Sequence, residues 1–250
     1  MSTMQLAADM GVVRQGRVLF SHHSVGENIL MGIKQHDARL PGNDRLRFIS
    51  LPEAIRITGP ALIDVSGGRN EEPKTKIDFF AATIRNEAHL KPELAVMKLC
   101  YVDFNPQTNV DDVFGYYRKT LEALKREHPE IRFVHVTTPL TIQPTGLKQR
   151  IFRLIGREVW EDAANMKRAD YNRRLKENFA ADSVFDLAQV EATAPNGQVT
   201  TFEQDGKSYL SLYPVYTEDG GHLNKAGQQI VGEVAIRFMA EQLRVIRSAR

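Results

Sequence analysis

Apolar residues recur along the chain in two kinds of segment, and the two kinds alternate. Short uninterrupted apolar runs are typical of strands that are buried on both faces of a parallel sheet. Longer segments carry apolar residues three and four positions apart, which is the spacing of an amphipathic helix. The predicted strands lie at residues 18–20, 45–50, 93–102, 131–140 and 183–189. The predicted helices lie at residues 25–36, 76–88, 109–128 and 157–180, with a last helix that ends near residue 244.

Five alternations of strand and helix predict an α/β fold in which helices cover both faces of a parallel sheet. We therefore expect a three-layer α/β/α arrangement of about five strands, folded as a single domain over residues 1–250. Residues 51–74 carry the turn signals of a loop, most densely in SGGRNEEP. Two Gly-containing turn pairs within residues 196–213 predict a hairpin inserted before the last helix. Residues 141–157 are basic and amphipathic, and we interpret them as a lid or an interaction surface.

Composition narrows the class of protein without identifying a partner. Hydrophobic residues make up 42% and charged residues 26% of the 250 residues, as in an ordinary globular domain. The formal net charge of +2 gives no argument for nucleic acid or an anionic membrane as the main partner. Cys100 is the only cysteine, which excludes an internal disulfide and a cysteine-based metal site.

The sequence contains neither the pattern of a membrane span nor that of a secretory signal. No apolar run approaches the roughly 18 residues that a membrane-spanning helix requires. The start MSTMQLAADMGVVRQG lacks a basic segment followed by an apolar core, which a signal peptide would show. If this start is the native one, we expect a cytoplasmic protein.

Three polar clusters lie where chemistry is expected in such a fold. Two of them follow predicted strands, and the third lies on a Gly-Gly turn before the last helix. They are Ser21, His22, His23 and Ser24; Tyr101, Asp103 and Asn105; and Asp219 with His222. The carboxyl ends of parallel strands meet at one edge of the sheet, and the returning chain can bring the third cluster there. A serine with an Asp/His pair is the set needed for nucleophilic acyl transfer, because a histidine must take the hydroxyl proton.

The motifs around these clusters resemble those of the SGNH (GDSL-like) hydrolases. DGGHLN, residues 219–224, is similar to the last block of that family, in which Asp-x-x-His precedes an apolar residue. VLFSHHSVG places Ser24 at the family's serine, although two histidines replace the Gly and Asp before it. ELAVMKLCYVD is similar to the family's strand followed by Gly-x-Asn-Asp and retains Asp103, but Val102 replaces the Asn. The blocks occur in the family order along the whole chain, and the last one is the most specific.

The resemblance implies a flavodoxin-like fold and an esterase that forms an acyl-enzyme and requires no cofactor or metal. Ser24 would be the nucleophile, His222 the base, and Asp219 the residue that orients His222. Because Val102 cannot donate a hydrogen bond, the oxyanion or substrate would depend on other groups. The candidates are Gly67, Gly68, Asn70, Tyr101, Asn105 and His23. The expected substrate is a small-molecule or saccharide ester, such as an O-acetylated saccharide, and the oligomeric state is not readable.

Three other interpretations of the same residues stay open at this point. Ser24 could cap the following helix, since serine is a preferred N-cap residue. His22, His23, His222 and Asp219 form a nitrogen and oxygen set suited to zinc in a metal-dependent hydrolase. The missing Asn and the altered Gly-Asp favour a non-catalytic member of the fold that binds a carbohydrate or a protein. The esterase hypothesis requires the Ser24 hydroxyl to contact the His222 imidazole.

Overall fold

Six parallel strands form the central sheet of the computed structural model, which describes residues 3–40 and 45–248. The sheet strands are β1 (Arg17–Ser21), β2 (Phe48–Ser50), β3 (Ala61–Val65), β4 (Leu94–Met97), β5 (Arg132–Val136) and β6 (Val184–Phe185). An antiparallel hairpin adds β7 (Thr201–Gln204) and β8 (Lys207–Leu210). The helices are α1 (Thr3–Arg14), α2 (Val25–Arg39), α3 (Leu51–Ala54), α4 (Pro73–Asn86), α5 (Val110–Glu127), α6 (Leu147–Leu154), α7 (Trp160–Asn178), α8 (Leu187–Ala192) and α9 (Lys225–Ser248).

The order of the strands confirms the predicted α/β fold and corrects one part of it. The sheet runs β2-β3-β1-β4-β5-β6, and every neighbouring pair is parallel. The prediction of a loop over residues 51–74 was wrong, because β3 lies there and pairs along its whole length with β1. This strand raises the count from about five to six. Without the short edge strand β2, the order is that of a doubly wound flavodoxin-like sheet.

Several element boundaries also differ from the sequence prediction. The strand predicted at residues 183–189 ends at Phe185, because Asp186 accepts a hydrogen bond from the N–H of Gln189 and begins α8. The strand predicted at residues 93–102 ends at Met97, and a single 3₁₀ turn at Tyr101–Asp103 follows. The predicted hairpin is confirmed, with Asp205 and Gly206 at positive φ in its turn. Helix α1 was not predicted.

The two faces of the sheet bury two separate apolar cores, and β1 contributes to both. Val18 and Phe20 pack into the core beneath α1, α2 and α9. Leu19 points to the opposite core, which α4, α5 and α7 cover. This alternation follows from the two-residue period of a strand. No helix within the described ranges is both long enough and apolar enough to cross a bilayer.

Helices α2 and α9 approach closely on one face of the sheet, and two glycines make the approach possible. A Cβ added to Gly32 would lie 1.9 Å from the carbonyl oxygen of Gln228, and one added to Gly232 would lie 2.5 Å from the backbone of Gly32. One turn before Gly32, the side chain of Asn28 accepts a hydrogen bond of 3.0 Å from the N–H of Leu223. One face of α2 is therefore fitted to the C-terminal segment of the chain.

We expect Gly32→Ala to destabilise the protein by about 1–3 kcal/mol, because the added methyl group must push α9 away from α2. Gly115→Ala is the matched control, since Gly115 also lies inside a helix but a Cβ there meets no atom within 4 Å. This control should stabilise the protein by roughly 0.5–1 kcal/mol through helix propensity alone. Urea unfolding followed by circular dichroism measures both changes. Equal stability of the two variants would contradict the proposed contact.

Candidate active site

Ser24 lies on a strained turn between β1 and α2. Its φ of 55° and ψ of −109° are rare for a residue with a side chain, and the side chain makes no capping hydrogen bond to α2. The interpretation of Ser24 as a simple helix cap was therefore wrong. Backbone strain of this kind concentrates at functional sites, where the surrounding structure holds it. A strand-to-helix turn with unusual angles is also how α/β hydrolases expose a nucleophilic serine.

A continuous chain of hydrogen bonds joins Ser24 to the turn before α9. The Ser24 Oγ lies 2.6 Å from the Nε2 atom of His222. The Nδ1 atom of the same imidazole lies 2.6 Å from the Oδ2 atom of Asp219. The contact between hydroxyl and imidazole that the sequence hypothesis required is thus present, across 198 positions of the chain. Because a carboxylate only accepts, Nδ1 carries a proton and Nε2 is left to accept the proton of the serine.

The second carboxylate oxygen of Asp219 organises its own turn. Its Oδ1 atom accepts hydrogen bonds from the N–H groups of Gly221, at 2.9 Å, and His222, at 2.8 Å. Desolvation acts to raise the pKa of Asp219, but these donors and the imidazole outweigh it and hold the pKa below its ordinary value. Asp219 therefore stays ionised and fixes both the position and the tautomer of the ring.

The two positions between Asp219 and His222 require glycine for different structural reasons. Gly220 has a φ of 91°, which favours glycine. Gly221 gives room to another side chain, because a Cβ there would lie 2.9–3.1 Å from ring and hydroxyl atoms of Tyr101. The turn is therefore built for its backbone path and for close contact with Tyr101.

Tyr101 packs its ring edge-on against His222. The ring centroids are 5.6 Å apart, and the phenolic oxygen lies 3.4 Å from both ring nitrogens of His222. Burial raises the pKa of Tyr101, and the nearby Asp219 carboxylate adds to this effect. The phenol therefore stays protonated and can donate a hydrogen bond. Arg168 fixes the position of Tyr101 through two contacts. Its Nε donates a hydrogen bond of 3.1 Å to the Tyr101 carbonyl, and its guanidinium lies 5.6 Å from the centroid of the Tyr101 ring.

Asp103 has a structural role that the sequence did not reveal. Its carboxylate forms a buried ion pair with Lys76, with distances of 2.7 and 2.9 Å to the Nζ atom. It also accepts hydrogen bonds from the N–H of Cys100, at 2.7 Å, and of Glu71, at 3.1 Å. One carboxylate thus joins the end of β4, the start of α4 and the loop between β3 and α4.

The other predicted site residues fall into two groups. Asn70 accepts a hydrogen bond of 2.9 Å from Lys76 through its Oδ1 atom, which turns its NH₂ group away from the lysine. His23 donates to the carbonyl of Gly67 at 2.7 Å, and a Cβ on Gly67 would overlap the Phe79 ring at 2.4 Å. Gly67, Asn70 and Gly68, which has a φ of 83°, share the loop between β3 and α4, and His23 bonds to this loop from the turn between β1 and α2. Asn105 is used elsewhere, because its Oδ1 atom accepts from the N–H of Gln107 in a turn before α5.

The histidines proposed as zinc ligands point to different partners. The Nε2 atom of His22 lies 2.9 Å from Asp64, whereas His23 bonds to a backbone carbonyl and His222 to Ser24. This divergence does not favour a zinc set built from these three rings and Asp219. His22, Glu27 and Asp64 do bring one potential ligand atom each within 4.8 Å of the others. Because His22 and Asp64 already form a hydrogen bond with each other, that group has a sufficient structural explanation.

Three residues that support the site were missed by the sequence analysis. They are Asn28, which holds the backbone after His222; Lys76, which pairs with Asp103; and Arg168, which holds Tyr101. Lys76 offered a signal, because it stands on the apolar face of α4 four residues before Phe80, where a charge needs a buried partner. Asn28 and Arg168 lie in polar segments of their helices, and only the folded chain distinguishes them from solvent-exposed residues.

Removal of the Asp103 charge should cost far more stability than removal of an exposed one. We expect Asp103→Asn to destabilise the protein by about 3–5 kcal/mol, because Lys76 would remain buried without a counter-charge. Asp112→Asn is the control, since its pair with Lys74 is exposed and contributes at most about 1 kcal/mol. Urea unfolding of the two variants decides the matter. A loss near 1 kcal/mol in both would show that the buried pair carries no special weight.

Comparison with known proteins gives the family. A family model described as GDSL-like Lipase/Acylhydrolase matches residues 50–235, a range that includes Asp103, Asp219 and His222 but begins after Ser24. Comparison with curated protein sequences gives no significant match. Comparison with solved structures finds similarity to a lipase/acylhydrolase from Enterococcus faecalis at 16% identity. The alignment covers 90% of this chain and 94% of that chain, with a TM-score of 0.48.

A G-D-S-L family protein from Desulfitobacterium hafniense DCB-2 is similar at 11% identity, with 88% of this chain and 97% of that chain covered and a TM-score of 0.45. The periplasmic domain of a lipopolysaccharide acetyltransferase from Salmonella ser. Paratyphi A is similar at 10% identity, with 92% and 94% covered and a TM-score of 0.37. The family expected from the sequence motifs is confirmed by the match of the family model. Because the family model matches well over half of the residues of this chain, the chain belongs to the GDSL-like lipase/acylhydrolase family.

Proposed function

We propose that the protein is a serine esterase that cleaves a carboxylic ester through an acyl-enzyme intermediate. Family membership supports hydrolase or acyltransferase activity in general. The observation that carries the finer proposal is the 2.6 Å contact between the Oγ of Ser24, on its strained turn, and the Nε2 of His222. A serine hydroxyl is a weak nucleophile, and it becomes effective when an imidazole at hydrogen-bond distance removes its proton.

In the first half of the reaction, Ser24 would attack the ester carbonyl while its proton passes to His222. The carbonyl carbon becomes tetrahedral in the resulting intermediate, and the electrons of its double bond move to the oxygen, which then carries a negative charge. When this intermediate collapses, the bond to the leaving alcohol breaks, and the imidazolium of His222 protonates the departing oxygen. The products of this step are the free alcohol and an acyl group bonded to Ser24.

In the second half, water would replace the alcohol. His222 removes a proton from the water, the resulting oxygen attacks the acyl carbonyl, and collapse returns the proton to Ser24 and releases a carboxylic acid. Asp219 remains ionised throughout and stabilises the imidazolium in both halves. The lowered pKa of Asp219 suits this role, because a carboxyl group that took up the proton would no longer stabilise the positive charge on the His222 ring.

The negative oxygen of the intermediate needs donors, and the usual Asn is replaced by Val102. We propose that the N–H of Ser24, an N–H of Gly67 or Gly68, and the phenol of Tyr101 supply them. Tyr101 is the best supported side chain, since it is held protonated next to both Ser24 and His222. Asn70 is the second candidate, because Lys76 holds its oxygen and leaves its NH₂ group as the free donor.

The substrate we propose is a small acyl group on a polar alcohol, such as an O-acetylated saccharide. The side chains of His222 and Asp219 are 44% and 58% exposed, so the hydrogen-bonded set lies at the surface. An open site of this kind suits an acyl ester whose alcohol part is large and stays mostly in solvent. A long acyl chain would instead require a deep apolar pocket to bury it.

Val102 gives one specific argument for a second candidate function, a non-catalytic member that binds a carbohydrate or a protein. A lost oxyanion donor typically costs about 100- to 1000-fold in rate. Unless another group compensates, the site would retain its geometry and lose most of its activity.

We expect Ser24→Ala to lower the turnover of p-nitrophenyl acetate by at least about 1000-fold, because the nucleophile is removed. The wild-type protein should also react with a fluorophosphonate probe at Ser24, as located by mass spectrometry of the peptides. Ser208→Ala, in the exposed hairpin, is the control and should keep full activity. A wild-type protein with neither turnover nor labelling would refute the esterase and favour the binding function.

Tyr101→Phe tests the proposed donor without changing the size of the ring. We expect kcat to fall roughly 100-fold while KM stays within about threefold, since the lost hydrogen bond forms only in the transition state. Tyr116→Phe is the matched control, because that phenol donates to Asp78 at the surface. If Tyr101→Phe retains the wild-type kcat and Asn70→Ala does not, the side-chain donor is Asn70 and our assignment of Tyr101 is wrong.

A further inference from the structure

Helix α6 presents a stripe of large apolar side chains to solvent. Leu147, Ile151, Leu154 and Ile155 recur at the spacing of one helical face, and their exposed fractions reach 75% for Leu147 and 85% for Leu154. None of the eight residues of α6 is buried. Isolated exposed apolar residues are ordinary, but a contiguous stripe of them usually marks a contact surface.

Basic side chains border this stripe on both sides. Lys148 and Arg150 are exposed and stand at its two edges on the helical wheel. Lys148 and Arg157 also lie over the ring of Phe152, at 5.4 and 5.9 Å. Residues 141–157 contain four basic residues and no acidic one. Arg153 pairs with Asp162, so Lys148, Arg150 and Arg157 are the three residues that supply positive charge at this surface.

The opposite face of α6 fixes its orientation. Arg153 points toward the protein, where it donates to Asp162 at 2.7 Å and to the carbonyl of Pro144 at 2.9 Å. Asp162 is buried, so this ion pair is a firm attachment. The apolar stripe is consequently held outward.

Trp160 extends the surface at the start of α7. It is 55% exposed and is the only tryptophan of the chain. An indole with an apolar body and one N–H donor favours the boundary between hydrocarbon and water. It follows Ile155 by five residues along the chain.

We propose that α6 is an interfacial helix that docks the protein on an anionic lipid bilayer. The apolar stripe would enter the boundary between headgroups and acyl chains, and Lys148, Arg150 and Arg157 would reach the phosphate groups. We favour an anionic bilayer over a protein partner because positive charge lies on both edges of the apolar stripe. Headgroups would surround a docked helix on every side and could meet both edges. The helix is too short to span a membrane and lies on it.

This surface is connected to the candidate active site through the backbone. Ile142, at the start of the same insertion, donates its N–H to the carbonyl of Gly220 at 2.9 Å. Its side chain also contacts the Gly220 position, two residues before His222. The insertion that carries the docking surface is thus hydrogen-bonded, at Ile142, to the turn that carries His222.

The test uses the whole protein and vesicles of phosphatidylcholine alone or mixed with phosphatidylglycerol. We expect co-sedimentation with the anionic vesicles and little with the neutral ones. The fluorescence of Trp160 should shift to shorter wavelength at the same time, and salt should reverse both effects. Failure to bind anionic vesicles, or equal binding to neutral ones, would overturn the proposal.

Variants separate this proposal from other occupants of the stripe. Ile151→Glu with Leu154→Glu should abolish binding, and Lys148→Ala with Arg150→Ala should weaken it by about fivefold for each charge removed. Met4→Glu and Lys119→Ala are the controls, since both positions are exposed and lie outside the insertion. All variants should keep the wild-type rate on a soluble ester. Loss of that rate would identify a lid, and self-association abolished by the glutamates would identify a second copy; either result rejects the membrane.

Discussion

The fit of one face of α2 against the C-terminal segment is the constraint on which the site depends. Along that face, Ser24 meets His222, Asn28 meets Leu223, and Gly32 meets Gly232. The contact between Gly32 and Gly232 is made by backbone atoms alone, so it sets the separation of α2 and α9 without relying on flexible side chains. Because the hydrogen bond of Ser24 needs an accuracy of a few tenths of an ångström, a rigid contact two turns away is an effective way to supply it.

The departures from the family motifs are connected to one another. Cys100 and Val102 replace the usual Gly and Asn, yet Asp103 is retained and holds the N–H of Cys100. The same carboxylate neutralises Lys76, which in turn holds Asn70. A buried ion pair rarely adds much stability over apolar residues, but it does impose a defined arrangement on the loops that it joins. Under the proposed function, this arrangement and Tyr101 would do together what a single Asn does elsewhere in the family.

The sequence predicted the fold class from local patterns, and it predicted the Ser24–His222 contact from the resemblance of two short motifs to those of the family. Alternating apolar runs identify a parallel sheet, and Asp219 with His222 on a glycine turn is a compact motif. The sequence did not reveal β3, because its segment ALIDV is short, contains Asp64 and lies between residues typical of turns. That strand is stabilised by pairing with β1 and β2, which only the folded chain provides. The roles of Lys76 and Arg168 depend in the same way on partners far away in the sequence.

The openness of the site bears on the fate of the proposed acyl-enzyme. With the His222 side chain 44% exposed, water would reach the acyl group of the proposed intermediate as easily as an alcohol would, and the concentration of water would favour hydrolysis over transfer. Transfer to a second alcohol would require water to be excluded, which means that a surface must cover the site. The described residues place one candidate for such a surface nearby, since the insertion that carries α6 is bonded to Gly220. If α6 lies on a bilayer, the choice between hydrolysis and transfer therefore depends on whether the docked membrane also shields Ser24.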